Sequence, residues 1–423
     1  MLLWDAAVLL IWAFDLSRLP RPSQIEITRE WQSPLYLGES TEVTLRVRTD
    51  ARTAIRVSLQ DDVPDSLASS PPGGEIELGE GEARSLSYPV LPGSRGDASV
   101  QDVYLQYQSA ARLAERRAIA ALKQTVRVYP SLKESKQYML YLMRSRQIEI
   151  EKRLKRTSGA GREFESLRDY REGDEPRDVC WTATARRGKL IARTYQMERS
   201  QQVAVVIDAG RLLQAKVRRP GQRPKSPDFD RPPEVVLAKL DYAVSAALGL
   251  ARVALYSGDA VGLTAYARSL QARLLPGRGA LHLRTLVENL ALVQGKLAEG
   301  DHQAAAGYLL STHKRRTLVV WLTDVAETAA TPEVVEAASR LAARHLVLFI
   351  AIGQPELARL AGERPASVQQ AYRYVAAQEI IERRELLLRR LRQQGALAFE
   401  LEPSQLAAGL VNRYLEVKER SLL

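Results

Sequence analysis

The stretch QVAVVIDAG, residues 202–210, decides how the second half of the chain folds. It is a continuous apolar run that ends in Asp208, a pattern typical of a strand buried on both faces of a sheet. Similar runs follow it, DAVGLTAYA, TLVVWLTDV, LVLFIAIG and LAFEL, and most alternate with helical patterns. Because buried strands that alternate with helices form a largely parallel sheet, residues 201–423 are predicted to be an α/β domain.

The first part of the chain has a different pattern. Short alternating runs such as TEVTLRVRT and AIRVSLQ are separated by Gly, Pro and Asp in stretches such as LPGSRGD. A period of two with this punctuation predicts a β-sandwich of about seven or eight strands over residues 23–130. Residues 131–200 are predicted to hold a connecting helix and a charged signature motif. The expected fold is therefore multidomain.

Residues 1–22, MLLWDAAVLLIWAFDLSRLPRP, fit two interpretations. The apolar stretch is interrupted by Asp5 and Asp15 and is shorter than the roughly 20 residues that span a bilayer. It is either a membrane anchor or a short amphipathic helix packed on its own domain. If it is an anchor, Arg18 and Arg21 behind it place the bulk of the chain in the cytoplasm.

Composition argues against several classes of function. The formal net charge is +11, but Lys and Arg are interleaved with Asp and Glu, and the sequence has no zinc-finger, helix-turn-helix or RNP signature. Nucleic-acid binding is therefore not expected. The single cysteine, Cys180, excludes an internal disulfide and is expected to be a buried side chain. The sequence also lacks a P-loop, a G-x-S-x-G and an H-E-x-x-H motif, so we do not expect an enzyme.

Two aspartates mark a candidate ligand site. Asp208 and Asp324 each follow a strand of the α/β domain, and ligands of such sheets bind outside the carboxyl ends of the strands. A pair of carboxylates there could hold a hard divalent cation such as Mg²⁺. The alternative is that each aspartate caps the following helix or turn.

This arrangement resembles the von Willebrand factor A domain and its metal-ion-dependent adhesion site. The resemblance implies a first loop D-x-S-x-S, whereas this chain reads DAGRL, with Gly210 and Leu212 at the positions of the two hydroxyl ligands. Arg278 lies near the expected position of a coordinating threonine. We therefore expect a degenerate site in which Arg211 or Arg278 pairs with the aspartates in place of a metal.

The segment GREFESLRDYREGDEPRDVCWTATARRGKLIARTYQMER, residues 161–199, carries a more specific resemblance. It is similar to the signature of the bacterial family of domains of unknown function 58 (DUF58), which precedes a von Willebrand A-like domain. The matching positions that we take as a protein-interaction or structural motif are Glu163, Phe164, Arg168, Tyr170, Gly173, Asp174, Arg177, Trp181 and Arg186.

The resemblance also implies a function. Members of that family occur with MoxR-type AAA+ ATPases and commonly begin with membrane spans, so it implies a membrane-associated, non-enzymatic adaptor or scaffold in protein maturation or envelope stress. It implies the inner or plasma membrane, with the bulk of the chain cytoplasmic. The charged motif then serves as a partner surface, an internal clamp, or both. The alternatives are a metal-dependent adhesion protein and, with less support, a hydrolase that uses the carboxylates of the motif.

Overall fold

A computed structural model describes residues 2–50, 53–67, 72–109, 111–131, 163–171, 176–196, 201–217, 236–325, 332–420 and 422. The N-terminal part is a β-rich domain, and the C-terminal part is a mixed α/β domain with a mainly parallel sheet. Both features were predicted from the hydrophobic patterns. The predicted connecting helix falls mostly on residues 132–162, outside the described part of the chain.

The β-rich domain contains ten strands in its described residues, more than the seven or eight predicted. They are β1 (Ile25–Trp31), β2 (Leu35–Tyr36), β3 (Thr41–Thr49), β4 (Ile55–Asp61), β5 (Gly73–Leu78), β6 (Ala83–Val90), β7 (Gly96–Val100), β8 (Val103–Ser109), β9 (Glu115–Ala120) and β10 (Gln124–Tyr129). The sheets have the orders β1-β3-β6, β2-β10-β7 and β5-β4-β8-β9. One apolar core lies between them, because alternate side chains such as Val43, Leu45 and Val47 point inward.

Helix α1 (Leu2–Arg18) is fixed to this domain only by its last turn. Asp15 is buried and accepts hydrogen bonds from Ser109 Oγ at 2.5 Å and from the Ala114 amide at 3.0 Å. Leu19, just beyond the helix, enters the core. Every residue from 4 to 14 is exposed. In the described part of the chain, no helix has both the length and the apolarity needed to cross a membrane.

The α/β domain is built on six strands: β13 (Gln202–Asp208), β14 (Ala260–Tyr266), β15 (Leu270–Gly277), β16 (Leu318–Thr323), β17 (Leu346–Ile352) and β18 (Leu397–Leu401). Their order in the sheet is β15-β14-β13-β16-β17-β18. All neighbours are parallel except β14 and β15, which are antiparallel. Counted from β13, this is the doubly wound order 3-2-1-4-5-6.

Helices cover both faces of this sheet. They are α3 (Lys239–Tyr256), α4 (Gly279–Leu292), α5 (His302–Thr312), α6 (Pro332–Ala342), α7 (Pro355–Gly362), α8 (Val368–Gln393) and α9 (Leu406–Glu419). One apolar core lies under α3, α4 and α9, and a second lies under α5, α6 and α8. The sequence patterns had not indicated α5, because two of its four buried residues are alanines, which carry little hydrophobic contrast.

Buried and half-buried ion pairs join the two domains. Arg95, in the turn before β7, donates from Nε to Asp241 Oδ1 at 2.8 Å and from Nη1 to the Leu290 carbonyl at 2.9 Å. Its side chain is only 4% exposed. Arg127 of β10 donates to Glu288 Oε2 of α4 at 2.8 Å. These contacts fix the β-rich domain against the first turn of α3 and the last turns of α4.

Candidate functional site

The candidate site lies where the strand order of the α/β sheet reverses. Strand β13 has β14 on one side and β16 on the other, and the carboxyl ends of β13 and β16 carry Asp208, Thr323 and Asp324. This is the switch point at which open α/β sheets bind their ligands. Thr323 Oγ1 donates a 2.7 Å hydrogen bond to Asp208 Oδ2, so the two strand ends are in direct contact.

Asp324 is neutralised by two buried cations. Lys239 Nζ lies 2.6 Å from Asp324 Oδ2, and Arg384 Nη1 lies 2.9 Å from Asp324 Oδ1. Arg384 also donates to the Ile352 carbonyl at 2.9 Å and meets Glu400 at 3.0 Å. Lys239 and Arg384 are 0% and 1% exposed. Buried charges are tolerable only when they are paired in this way.

Asp208 is held by neutral donors. Its Oδ1 accepts from the Gly210 amide at 2.8 Å, and its Oδ2 accepts from Thr323. Burial raises the pKa of Asp208, and these two hydrogen bonds and the nearby His302 counteract the rise. A Cβ atom at Gly210 would come within 3.0 Å of the Ala298 carbonyl and of the Gly300 amide. The chain at 298–300 therefore occupies the space that a side chain at position 210 would need.

These residues do not fit a divalent cation. Both oxygens of Asp324 face positive side chains, and at Gly210, the first hydroxyl position of the D-x-S-x-S loop, packing leaves no room for a side chain. Among the described residues, no three or more His, Cys, Asp and Glu side chains form a group suited to a metal ion. The binding of Mg²⁺ by Asp208 and Asp324 therefore gains no support from the geometry.

The cations at Asp324 are not the arginines expected from the sequence. Arg278 directly follows β15, and the end of β15 pairs with the start of β14. Arg278 therefore lies at the amino-terminal ends of the parallel strands, away from Asp208 and Asp324. Arg211 lies 3.4 Å from Glu299 on the surface. The sequence did not indicate Lys239 and Arg384 as partners of Asp324. Both lie in helices, where a charged side chain is normally solvated.

A hydrogen-bonded aromatic cluster lies behind Asp208. Trp321 Nε1 donates to Tyr266 OH at 2.7 Å, and Tyr266 OH is 2.8 Å from His302 Nδ1. Which of these two atoms donates the proton depends on the tautomer of the imidazole. Burial lowers the pKa of His302. The imidazole thus extends the hydrogen-bonded cluster from Trp321 and Tyr266 to the start of α5.

The described residues of the signature segment form a small two-stranded module. Strands β11 (Glu163–Asp169) and β12 (Ile191–Gln196) pair antiparallel, with a register shift between Phe164 and Ser166. A 3-10 turn and the short helix α2 (Trp181–Arg187) connect them. The register shift interrupts the in–out alternation of side chains along β11.

Helix α2 is clamped at both ends. The Cys180 amide donates to the Ile191 carbonyl at 2.7 Å, and Thr184 Oγ1 accepts from the Ile191 amide at 3.0 Å. Gly188 ends the helix with a left-handed φ of 66°, which a glycine adopts without strain. Val179, Cys180 and Ile191 are buried under it. Cys180 is buried as predicted, and hydrogen bonds led by that with Thr182 lower its pKa to about 7.

The predicted motif residues differ in how far they are described and in how exposed they are. Gly173 and Asp174 fall outside the described residues, and the side chains of Glu163, Phe164 and Arg177 are likewise not described. Arg168 and Tyr170 are half-buried at the end of β11. Trp181 is 67% exposed, and Arg186 is also exposed. Trp181 therefore faces solvent and does not contribute to the core of the module.

The segment GDAVGL, residues 258–263, has a structural role. Asp259 is 0% exposed and lies 2.9 Å from Lys418 Nζ of α9. It also accepts from Tyr414 OH at 2.5 Å and from the Gln201 amide at 3.0 Å. The aspartate thus ties the closing helix to the start of β13 and β14.

Residues 166–374 match the family model described as "Protein of unknown function DUF58". The chain belongs to the DUF58 family. The matched region contains most of the signature module, the buried Asp324 pair with Lys239, and the aromatic cluster. Arg384, which completes the charged group, lies beyond the end of the match. No curated protein shows significant similarity to this DUF58 chain.

Solved structures are similar to parts of the chain at low identity. The ASH/PapD-like domain of human CEP192 is 16% identical, with 25% of this chain and 87% of that chain covered and a TM-score of 0.20. Proximal thread matrix protein 1 from the mussel byssus is 14% identical, with 50% and 46% covered and a TM-score of 0.30. These values are too low to support an inference about fold or function.

Proposed function

We propose that this DUF58 protein is a non-enzymatic, membrane-associated adaptor that holds a partner protein at the cytoplasmic face of a membrane. The observation that carries the proposal is the closed switch point, where Asp324 is saturated by Lys239 and Arg384 and Asp208 by Thr323 and Gly210. Groups that saturate one another in the interior are poorly placed to bind and turn over a substrate. This arrangement best supports a function in which the protein binds a partner through its exposed surfaces.

The exposed helix α1 supports the membrane part of the proposal. Its large apolar side chains face solvent with exposures of 45–75%: Trp4, Val8, Leu9, Leu10, Ile11, Trp12 and Phe14. At 17 residues the helix is about 26 Å long, less than the roughly 30 Å of a hydrocarbon core. We propose that α1 inserts into the apolar and interfacial region of one bilayer leaflet, with Arg18 at the headgroups.

Vesicle flotation tests this part. The full chain should float with phosphatidylethanolamine/phosphatidylglycerol vesicles, whereas Leu9→Glu/Ile11→Glu should remain at the bottom of the gradient. The matched control is Leu113→Glu/Ile119→Glu, because those side chains are 52% and 62% exposed on the β-rich domain and the tested pair is 63% and 57% exposed. Equal flotation of all three proteins would refute membrane association through α1.

The partner is proposed from the family. We propose a MoxR-type AAA+ ATPase, since members of the DUF58 family occur with such enzymes. We further propose that the β-rich domain is a sandwich and that the α/β domain is von Willebrand A-like, which the order 3-2-1-4-5-6 with an antiparallel edge strand supports. Sedimentation of the full chain with the purified MoxR-type ATPase of the same source should give a stoichiometric complex, and no complex would refute the adaptor function.

A further inference from the structure

The signature segment has a strong charge asymmetry along its length. Residues 163–175 contain six acidic and two basic residues, whereas residues 176–193 contain one acidic and five basic residues. The second half includes the whole of α2. Because Asp169 pairs with Lys189 at 2.8 Å, one positive charge of that half is already compensated. The surface around α2 is therefore positively charged, in contrast to the strand that precedes it.

The two faces of α2 differ in what they present. The inward face rests on the start of β12 through Thr184, and Ala183 is half-buried beside it. The outward face carries Trp181, with the small Ala185 one turn along the helix, and Arg186 follows at the rim. An indole next to a small side chain leaves a shallow apolar step that another side chain can cover.

We propose that this outward face, formed by Trp181, Ala185, Arg186 and Arg187, is the docking surface for an acidic segment of a partner protein. The proposal rests on the adaptor function proposed above and assigns its contact surface. Exposed aromatic and arginine side chains carry most of the binding energy in protein interfaces. Arg186 and Arg187 are both exposed, so their guanidinium groups can each donate a pair of hydrogen bonds to a carboxylate.

A protein partner fits this surface better than an anionic membrane does. Membrane-binding basic patches work through the number of their charges, and lysine serves as well as arginine. Here the exposed cations beside Trp181 are two arginines, Arg186 and Arg187, which favour directional pairing with carboxylates. The molecule also has a separate apolar helix, α1, for the lipid.

Three variants of the full chain test the proposal by titration against the purified MoxR-type ATPase of the same source. Trp181→Ala should weaken binding about 30-fold, the loss expected on truncating an interfacial hot spot. Arg186→Glu/Arg187→Glu should weaken it at least about tenfold, with a smaller dependence on salt than the wild type shows. The matched control is Arg315→Glu/Arg316→Glu, which makes the same change in charge at two adjacent exposed arginines just before β16.

The outcomes separate the two proposals. The docking surface is supported if the wild type binds and only the Trp181 and Arg186/Arg187 variants lose binding. Those variants must also keep the circular dichroism spectrum and the unfolding midpoint of the wild type. Wild-type binding that all variants retain overturns the surface and leaves the adaptor function standing. No wild-type binding overturns both. If the arginine variant instead loses binding to phosphatidylglycerol vesicles and keeps the ATPase, the surface contacts lipid and the proposal is wrong.

Discussion

Replacement of Asp324 by alanine should be among the most destabilising single changes in the α/β domain. The carboxylate is the shared partner of Lys239 and Arg384, at 2.6 and 2.9 Å, and both cations are fully buried. Removing one partner of a buried pair leaves an uncompensated charge and costs about 3–5 kcal/mol. Arg384 retains Ile352 and Glu400 as partners, so most of this loss is expected from the stranded ammonium of Lys239.

A double-mutant cycle isolates that charge. Lys239→Met should cost less than Asp324→Ala, because Asp324 keeps Arg384. The double variant should be more stable than Asp324→Ala alone by about 1–3 kcal/mol, since the stranded cation is gone. Urea unfolding followed by tryptophan fluorescence, to which the buried Trp321 contributes, and by circular dichroism measures these differences. A double variant no more stable than Asp324→Ala would show that Lys239 carries no buried charge paired with Asp324, and the account of the closed site would fail.

Three further changes have defined outcomes. Gly210→Ser should lower the unfolding free energy by about 1–3 kcal/mol, because the new Cβ would meet the backbone of residues 298–300. Thermal unfolding measures this loss, and an unchanged melting temperature would contradict that packing. Arg95→Ala should speed hydrogen exchange in β7 and in the last turn of α4 and leave β17 protected, and uniform exchange would argue against an interdomain clamp. Burial lowers the pKa values of His313 and His345, so the unfolded state takes up their protons first. Stability should thus fall from about pH 6.5 downward, by at most about 1.4 kcal/mol per pH unit for each histidine, and a flat profile in the wild type would refute this.

The strands of the α/β domain were predictable because burial on both faces leaves a continuous apolar run, as in β13 and β16. The same logic placed Asp208 and Asp324 at one edge of the sheet, where they lie. Their partners were not predictable, because Lys239 and Arg384 are 85 and 60 residues from Asp324 in sequence. A charged residue in a helix normally indicates a solvated face, and only the tertiary packing reveals that these two are buried.

The signature segment was predicted correctly as a family feature. Its charges left two structural interpretations open, an internal clamp and a surface for a partner. In the described residues the core is formed by small and aliphatic side chains, Val179, Cys180 and Ile191, and the tryptophan is outside. A sequence pattern cannot distinguish an aromatic anchor of an internal core from one that awaits a partner, because both require the same residue.

The first turn of α3 connects the domain interface to the closed site. Asp241 accepts from Arg95 of the β-rich domain through Oδ1 and from the Ala238 amide at the start of α3 through Oδ2. Lys239, in the same turn, reaches Asp324 at the switch point. A displacement of the β-rich domain would therefore pull on the helix end that supplies the buried ammonium. Because an unpaired buried charge is costly, the closed site itself resists such a displacement, and the two domains are held as one body by the same turn that keeps the site shut.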